Sequence, residues 1–303
     1  APNPFIPTDF TIKTKPNSDL SLAPSPPDMI IDGDLWRVHF KPDNRYGQPK
    51  AYAFLQISQS KDVFGEGTTP HISALARLLK ASLQDALNEF SYDAAVAGLS
   101  YSASFTARGI SLSFSGYNDK LPAFVETVAA AIANHVPSSE EKLQRFKDTI
   151  LRDLSSFKTE QPYRHASFFA TLCKNLPGYL PTQVAAEVEG ISLGELAEWA
   201  RGIWKTGYAE ALIQGNLLES DARNLIQSCE NAFKFEKIPE PDRAQPALVQ
   251  LPIVKGGYGS IIRNPEPNPT EGNSAVYMHF QSVERDLETL VAMEMIGTLM
   301  EQP

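Results

Sequence analysis

The chain has 303 residues, 42% of them hydrophobic, and a formal net charge of -9, so it is long enough for two domains that each bury a core. This acidic balance, without a basic stripe, argues against a nucleic-acid partner that binds by phosphate neutralisation. The sequence has no run of about 18 apolar residues, so we predict that no segment of the chain spans a membrane. A membrane is not an expected partner either.

The first 34 residues are rich in proline and show almost no hydrophobic periodicity. They predict an extended arm that crosses the surface of a larger structure. Strands are then expected at 35–40 and 50–58, with a polar loop between them. A long helix is expected from Thr69, because Pro70 suits the first helical position.

The stretch from Leu83 to Pro122 predicts the end of that helix, a β-hairpin and the start of another helix. Both hairpin strands alternate apolar residues with Ser or Thr, which is typical of an antiparallel sheet with one buried face. The second face carries hydroxyls and no charge. This composition fits a surface that lines a cavity or contacts another chain, and it equally fits a plain solvated face.

Tyr101 is the residue of the hairpin that we single out for function. A large amphipathic ring among small hydroxyl residues is typical of a sheet that contacts a peptide. Packing of the same ring in the core is the structural alternative.

The chain from the hairpin to residue 238 alternates helical patterns with one further strand. Ser138 with Glu141 predicts a capping box for one helix, and Ser192 with Glu195 predicts another. The sum is an α+β fold, with a mainly antiparallel sheet backed by helices on one face. The other expected elements are helices at 121–132, 143–157, 163–176 and 219–233 and a strand at 208–214.

Residues 239–248 contain prolines among charges and predict a linker that follows a first domain at 35–238. Beyond it, residues 249–303 predict strands at 258–263 and 274–281 and then a helix. Each of these strands follows its counterpart among the first two predicted strands, at 35–40 and 50–58, by the same number of residues. This pattern suggests the truncated start of a second copy of the same domain, and the alternative is a different small β-β-α module. Because so small a unit cannot close a core by itself, the chain is expected to be a fragment.

Few groups are candidates for chemistry. Neither cysteine has CxxC spacing, and both Cys173 and Cys229 are expected to be buried free thiols. The five histidines lack HxxEH, HExxH and HxH spacing, so no metal site is predicted. The richest segment holds Glu160, Gln161 and His165, which either belong to a functional site or cap and tie the junction between two helices.

Four segments, in the same order along the chain, carry a resemblance to a known family. They are PFIPTDF at 4–10, AGLSYSASFTARGISLSFSGYNDKLP at 97–122, TEQPYRHASFF at 159–169, and Gly215-Asn216 after a strand. Together they resemble the insulin-degrading enzyme and pitrilysin family of zinc metalloendopeptidases, over its third domain and the start of its fourth.

The resemblance implies four homologous α+β domains, paired into two halves that enclose a peptide-sized chamber. In the family, an HxxEH motif and a further glutamate of the first domain supply the zinc ligands and the general base, and the fourth domain adds an RxxxxxxY motif that would lie just beyond residue 303. Zinc is therefore expected in the full-length enzyme and not in this chain. Its expected partners are the N-terminal catalytic half and peptide substrates, and homo-oligomerisation is left open.

By the same resemblance, Tyr101 helps an internal exosite to hold the N-terminal segment of a substrate as an added strand. Glu160, Gln161 and His165 match the family's EQPxxH segment near the chamber wall and are candidate substrate contacts without a catalytic role. The expected function is a noncatalytic chamber wall and exosite of a zinc metalloendopeptidase. The alternative is an inactive homologue, either a subunit or a peptide-binding scaffold that completes a partner's chamber. For the compartment, the cytoplasm is favoured over the periplasm or an organelle.

Overall fold

The computed structural model of the chain describes residues 3–14, 25–60, 63, 69–106, 108–176, 178–243, 247–248, 261–265, 267–268, 270–280 and 286–300. The chain divides into two units, residues 1–156 with 179–247 and residues 157–178 with 248–303. Within the described ranges, none of the helices has the combination of length and apolar character that a membrane span needs.

The described strands are β1 (Asp28–Asp32), β2 (Trp36–Pro42), β3 (Lys50–Ser58), β4 (Ser100–Thr106), β5 (Gly109–Tyr117), β6 (Asn175–Leu176), β7 (Thr206–Gly215), β8 (Glu236–Lys237) and β9 (Ala247–Leu248). The first unit contains a sheet with the strand order β1-β2-β7-β3-β5-β4. β2 and β7 run parallel, and the other neighbours in this order run antiparallel. The short β8 pairs with β7.

The described helices are α1 (Pro70–Val96), α2 (Leu121–Asn134), α3 (Glu140–Ser156), α4 (Pro162–Lys174), α5 (Pro181–Gly190), α6 (Leu193–Gly202), α7 (Glu219–Phe233) and α8 (Leu287–Met300). Helices α4 and α8 belong to the second unit, and the others belong to the first. Short 3-10 turns at Phe157–Thr159 and Glu240–Asp242 complete the helical part.

The sheet buries one face and exposes the other. Along β3 the residues at 51, 53, 55 and 57 are buried, whereas Tyr52 and Phe54 between them are exposed and stack on each other. On the buried side, the Phe124 side chain of α2 is fully buried and contacts the rings of Phe5 and Phe90. Burial of one such aromatic ring contributes about 2–3 kcal/mol. The structure confirms the predicted α+β fold with a mainly antiparallel sheet backed by helices.

Residues 3–14, which we call the strap, are held against the first unit by polar groups. The Asn216 side chain is fully buried, and its Oδ1 accepts a hydrogen bond from the Lys13 backbone N–H at 2.6 Å. Asp119 Oδ2 accepts the Thr8 backbone N–H at 2.8 Å, and this bond holds the pKa of Asp119 below its ordinary value. The GYND and GN segments therefore fix the strap as well as forming turns.

The predicted arm is more structured than expected, because β1 lies within it. β1 pairs antiparallel with β2, with Asp28 opposite Phe40 and Asp32 opposite Arg37. Hydrophobic periodicity did not reveal this five-residue strand, because its first and last residues are both Asp.

The second unit was predicted less well. Helix α8 confirms the helix expected near its end, but the strand expected at 274–281 is wrong over the described residues 274–280, and residues 261–263 are not a strand either. Val276, Met278 and Phe280 alternate in the sequence yet are all exposed. Alternation alone is insufficient, because a strand needs a hydrogen-bonded neighbour. The inferred second copy of the domain stays a prediction.

Two local predictions are wrong. Helix α3 begins at Glu140, and Ser139 Oγ accepts the Lys142 N–H at 3.3 Å, so the cap lies one residue after Ser138. Cys173 is exposed rather than buried. Cys229 is buried as expected, and burial raises the pKa of its thiol to about 12.

Candidate functional site

A groove with a volume of about 420 Å³ lies between α1 and β4. Its apolar floor includes the buried Leu83 and Leu87 of α1 and Phe124 of α2. Lys80, which is half-buried, and the exposed Gln84 line it from the same helix. These α1 positions recur every three or four residues, so one stripe of the helix faces the groove.

β4 supplies the opposite wall and forms one edge of the sheet. It pairs with β5 in unbroken register from Ser100↔Ser115 to Thr106↔Gly109, and among the described strands no other strand pairs with it. An edge of this kind presents backbone N–H and C=O groups to which a further extended segment can bond. The groove therefore has a wall that can bind the main chain of a peptide.

Tyr101 lies on β4 with its ring toward the groove. The ring is half-buried and packs edge-on against Phe124, with ring centroids 6.4 Å apart. Burial raises the pKa of the Tyr101 phenol, so the hydroxyl stays protonated at neutral pH and can donate a hydrogen bond. The residue combines the two alternatives from the sequence, core packing and a surface available for contact.

The second face of the hairpin is built from hydroxyl pairs. Ser100 Oγ lies 2.7 Å from Ser115 Oγ, and Ser102 Oγ lies 2.9 Å from Ser113 Oγ. Each pair satisfies polar groups across the strands without introducing a charge. The β4 edge is thus uncharged along both faces.

The start of α1 is fixed by an imidazole between two carboxylates. His71 Nδ1 lies 2.9 Å from Glu187 Oε2 of α5, and its Nε2 lies 2.7 Å from Glu195 Oε1 of α6. Two nitrogens that both face carboxylates require the charged imidazolium, which has two N–H donors. Burial works against that charge, but the hydrogen bonds to Glu187 and Glu195 outweigh it and raise the pKa of His71.

Glu195 also confirms the second predicted capping box. Ser192 Oγ accepts the Glu195 N–H at 3.2 Å, and Glu195 Oε2 accepts the Ser192 N–H at 3.4 Å. One side chain therefore begins α6 and helps to fix the groove helix α1.

The EQPxxH segment forms a helix junction in the second unit. Glu160 Oε2 pairs with Arg164 Nε at 3.3 Å, and the Gln161 side chain is exposed. His165 is buried, with its Nε2 2.5 Å from the Phe157 carbonyl oxygen. The structure therefore brings Glu160, Gln161 and His165 together at the start of α4, whereas Tyr101 belongs to the first unit.

The described residues do not form a site of the kind that a zinc ion needs. Within the described ranges, no three His, Cys, Asp or Glu side chains converge in a way that could hold a metal ion. His71 binds two carboxylates, and His135 Nε2 lies 2.8 Å from Ser82 Oγ. We assign no catalytic step to a metal held by these residues.

Sequence reasoning did not identify the polar residues of the groove or the two buried asparagines that hold the strap. Lys80 and Gln84 look like ordinary solvated positions of an amphipathic helix, and Asn118 and Asn216 look like turn residues. The fold places Asn216 Nδ2 3.0 Å from Asn118 Oδ1 with both side chains buried. The signal available in the sequence was the occurrence of asparagine directly after a strand in two separate motifs.

Comparisons with known proteins agree with this architecture. A family profile described as "Middle or third domain of peptidase_M16" matches residues 1–187. The protein named "Insulin-degrading enzyme-like 1, peroxisomal" of Arabidopsis thaliana is 27% identical over 308 residues, covering 100% of this chain and 30% of its own length. The human "Insulin-degrading enzyme" is 28% identical over 232 residues, covering 76% of this chain and 22% of its own length. The chain thus spans less than a third of the length of these relatives.

A solved structure shows the same fold. The crystal structure of pitrilysin matches with a TM-score of 0.68 at 21% identity and covers 77% of this chain and 24% of that chain. The profile match covers more than half of the present chain. The chain therefore belongs to the M16 peptidase family, the insulin-degrading enzyme and pitrilysin group, and contains its middle or third domain.

Proposed function

We propose that this chain is a noncatalytic, peptide-binding part of a zinc metalloendopeptidase, in which it forms part of the chamber wall and an exosite. The observation that supports the proposal best is the edge of β4, with which no other described strand pairs, beside a groove that holds Tyr101. An extended peptide can add to such an edge through its main chain, while its side chains contact the groove. The zinc and the general base would come from an N-terminal catalytic half.

Within this proposal Tyr101 anchors the substrate. Its ring offers apolar area, and its protonated hydroxyl offers a donor to a peptide carbonyl. Glu160 and Gln161 are secondary candidates for substrate contact, because Gln161 is exposed and Glu160 is half-buried. His165 is buried and would act by fixing the start of α4.

Fluorescence anisotropy with a labelled, unstructured peptide tests binding by the 303-residue chain directly. Tyr101→Ala should weaken the affinity about tenfold, the size of effect that a good aromatic contact has at an interface. Tyr46→Ala is the matched control, since Tyr46 is 76% exposed on the loop between β2 and β3 and does not line the groove. Equal affinity of the two variants would contradict the exosite.

A kinetic experiment applies to the full-length enzyme that contains this chain. Tyr101→Ala should raise KM for long peptides more than for short ones, because only a long peptide can reach the exosite and the chemical centre together. An equal effect on both substrates would remove the exosite from the proposal.

Metal content tests the noncatalytic part of the proposal. Elemental analysis of the 303-residue chain after dialysis against a weak chelator should give close to zero zinc per mole. Stoichiometric zinc would mean that the chain holds a metal centre of its own, and the assignment of zinc to another part of the enzyme would be wrong.

A further inference from the structure

The groove between α1 and β4 carries a positive charge at one end and is otherwise uncharged. The inference drawn from this charge rests on the peptide binding proposed above. Among the described residues that line the groove, Lys80 is the one charged side chain, and no ion pair to it is present in the described part of the chain. The lining otherwise consists of apolar residues and uncharged polar ones. Among the described residues, no carboxylate therefore neutralises this cation.

The surroundings of Lys80 strengthen its attraction for an anion. The side chain is half-buried and lies one helical turn from the buried Leu83 and two turns from the buried Leu87. An ammonium group beside an apolar floor is less screened than one on an open surface, so a carboxylate brought to it gains more.

The length of the groove suits a short extended segment. From Lys80 to Ala95 the α1 wall measures about 22 Å at 1.5 Å per residue, which an extended peptide covers with about six or seven residues. Alternate side chains of a strand added to β4 would point toward Leu87 and the half-buried ring of Tyr101.

We infer that the groove selects extended peptide segments that carry a bulky apolar side chain beside Tyr101, over Leu87, and an acidic residue opposite Lys80. The volume of about 420 Å³ accommodates an aromatic side chain, and the open β4 edge supplies the main-chain partner. The occupant is thus a peptide that pairs with β4, distinguished from other peptides by one apolar and one acidic position.

The test uses fluorescein-labelled heptapeptides that differ at one position, measured by anisotropy against the 303-residue chain. A peptide with a central Phe and a Glu placed toward the Lys80 end should bind at least fivefold more tightly than the same peptide with Lys in place of Glu. Replacement of the central Phe by Ala should weaken binding about tenfold.

Variants of the chain then assign the charge preference to one residue. Lys80→Glu should reverse the preference between the Glu and Lys peptides, and Lys80→Met, which keeps the length without the charge, should bring their affinity ratio close to one. The matched control is Lys205→Glu, an exposed residue outside the groove with the same change in net charge, which should keep the wild-type ratio. Circular dichroism checks that each variant is folded.

The outcomes separate this inference from the proposed function. If the peptides bind and Tyr101→Ala weakens them, but Lys80→Glu and Lys80→Met keep the wild-type ratio, charge selection is wrong and the exosite stands. If the wild-type chain binds none of the peptides, both are wrong. If light scattering shows a dimer and peptide affinity falls as protein concentration rises, the β4 edge belongs to a second copy of the chain and the inference is overturned.

Discussion

The two edges of the sheet differ in ways that bear on binding. β1 has five residues, a register shift between Met29 and Ile31, and an Asp at each end. Arg223 of α7 also donates to the Ile30 carbonyl oxygen at 2.8 Å, which occupies a backbone acceptor of this strand. β4 has seven residues, an unbroken register and no charged side chain.

Bulges, charges and covering side chains are the devices by which natural proteins prevent pairing at an edge strand. β1 has all three. β4 has neither bulge nor charge, and among the described residues no strand pairs with its outer edge. Since one sheet protects one edge and leaves the other open, the openness of β4 is better explained by use than by a general tolerance of edges.

The first prediction breaks the β4 side at its connection to α1. A Cβ at Gly116 of β5 would lie 2.6 Å from the Gly98 carbonyl oxygen and 2.6 Å from Leu99 Cδ2, at a φ of +146°. Gly116→Ala should lower the free energy of unfolding by about 4 kcal/mol, from backbone strain and overpacking of about 1–3 kcal/mol each. Urea denaturation measures the change. Gly190→Ala, where an added Cβ meets nothing within 4 Å, is the control, and equal stability of the two variants would contradict the account.

The second prediction removes the strap residue that supports the groove floor. Phe5 is 7% exposed and contacts Phe90 and Phe124, so Phe5→Ala should cost about 3 kcal/mol in the same denaturation experiment. Phe10→Ala should cost less than about 1 kcal/mol, because Phe10 is 53% exposed and its one ring contact among the described residues is with Tyr117. A cost below that of Phe10→Ala would show that the strap does not support the core.

The third prediction compares the edges directly. Ser102→Lys places on β4 a charge of the kind that protects natural edges, and it should weaken the binding of an extended peptide about fivefold in the anisotropy experiment. Met29→Lys makes the same substitution at an exposed position of β1 and should leave binding unchanged. Equal loss in both variants would mean that peptides do not choose between the edges.

The fourth prediction concerns pH and the anchoring of α1, the helix beside β4. The folded protein raises the pKa of His71 above its ordinary value of 6.5, so the folded state binds the proton more tightly than the unfolded state. The resulting stability is fully present below about pH 6.5 and is lost as pH rises through the higher folded pKa. Since the three side chains are about 40% exposed, we expect no more than about 1 kcal/mol.

Urea denaturation of wild type and His71→Gln at several pH values measures this effect. The difference in stability between them should shrink as pH rises from 6 to 9. A control substitution, Gln84→Ala on α1, changes no titratable group, leaves the contacts of His71 intact and should keep the wild-type pH dependence. A constant difference between wild type and His71→Gln would exclude a charged imidazole at this position.

Much of the fold could be predicted from local pattern. The alternation in the hairpin strands β4 and β5 and the proline at the start of α1 are local signals, and each agrees with the structure. β1 and the parallel pairing of β2 with β7 could not be predicted in this way, because β2 and β7 are about 170 residues apart in sequence and their pairing depends on tertiary contacts. Alternation also misled at Val276, Met278 and Phe280, where the described residues offer no partner strand.

The candidate site was only partly accessible to the same reasoning. Tyr101 could be selected because its ring interrupts a run of small residues. Lys80 could not, since its distinction is the absence of a neighbouring carboxylate in the groove, and this follows from how α1 packs beside β4. A residue such as Lys80, whose role depends on its tertiary environment, can be identified only once the structure is known.

The strap is an internal ligand of the first unit. It binds the rest of the first unit as a ligand would, through Phe5 in the core and through the Asn216 and Asp119 side chains. Because the strap is covalently part of the same chain, this contact is intramolecular, and even a weak intrinsic affinity keeps it bound. Separation of the strap from the rest of the chain would turn this contact into a bimolecular equilibrium. The contact of Phe5 with the aromatic residues beneath the groove would then weaken as the protein is diluted.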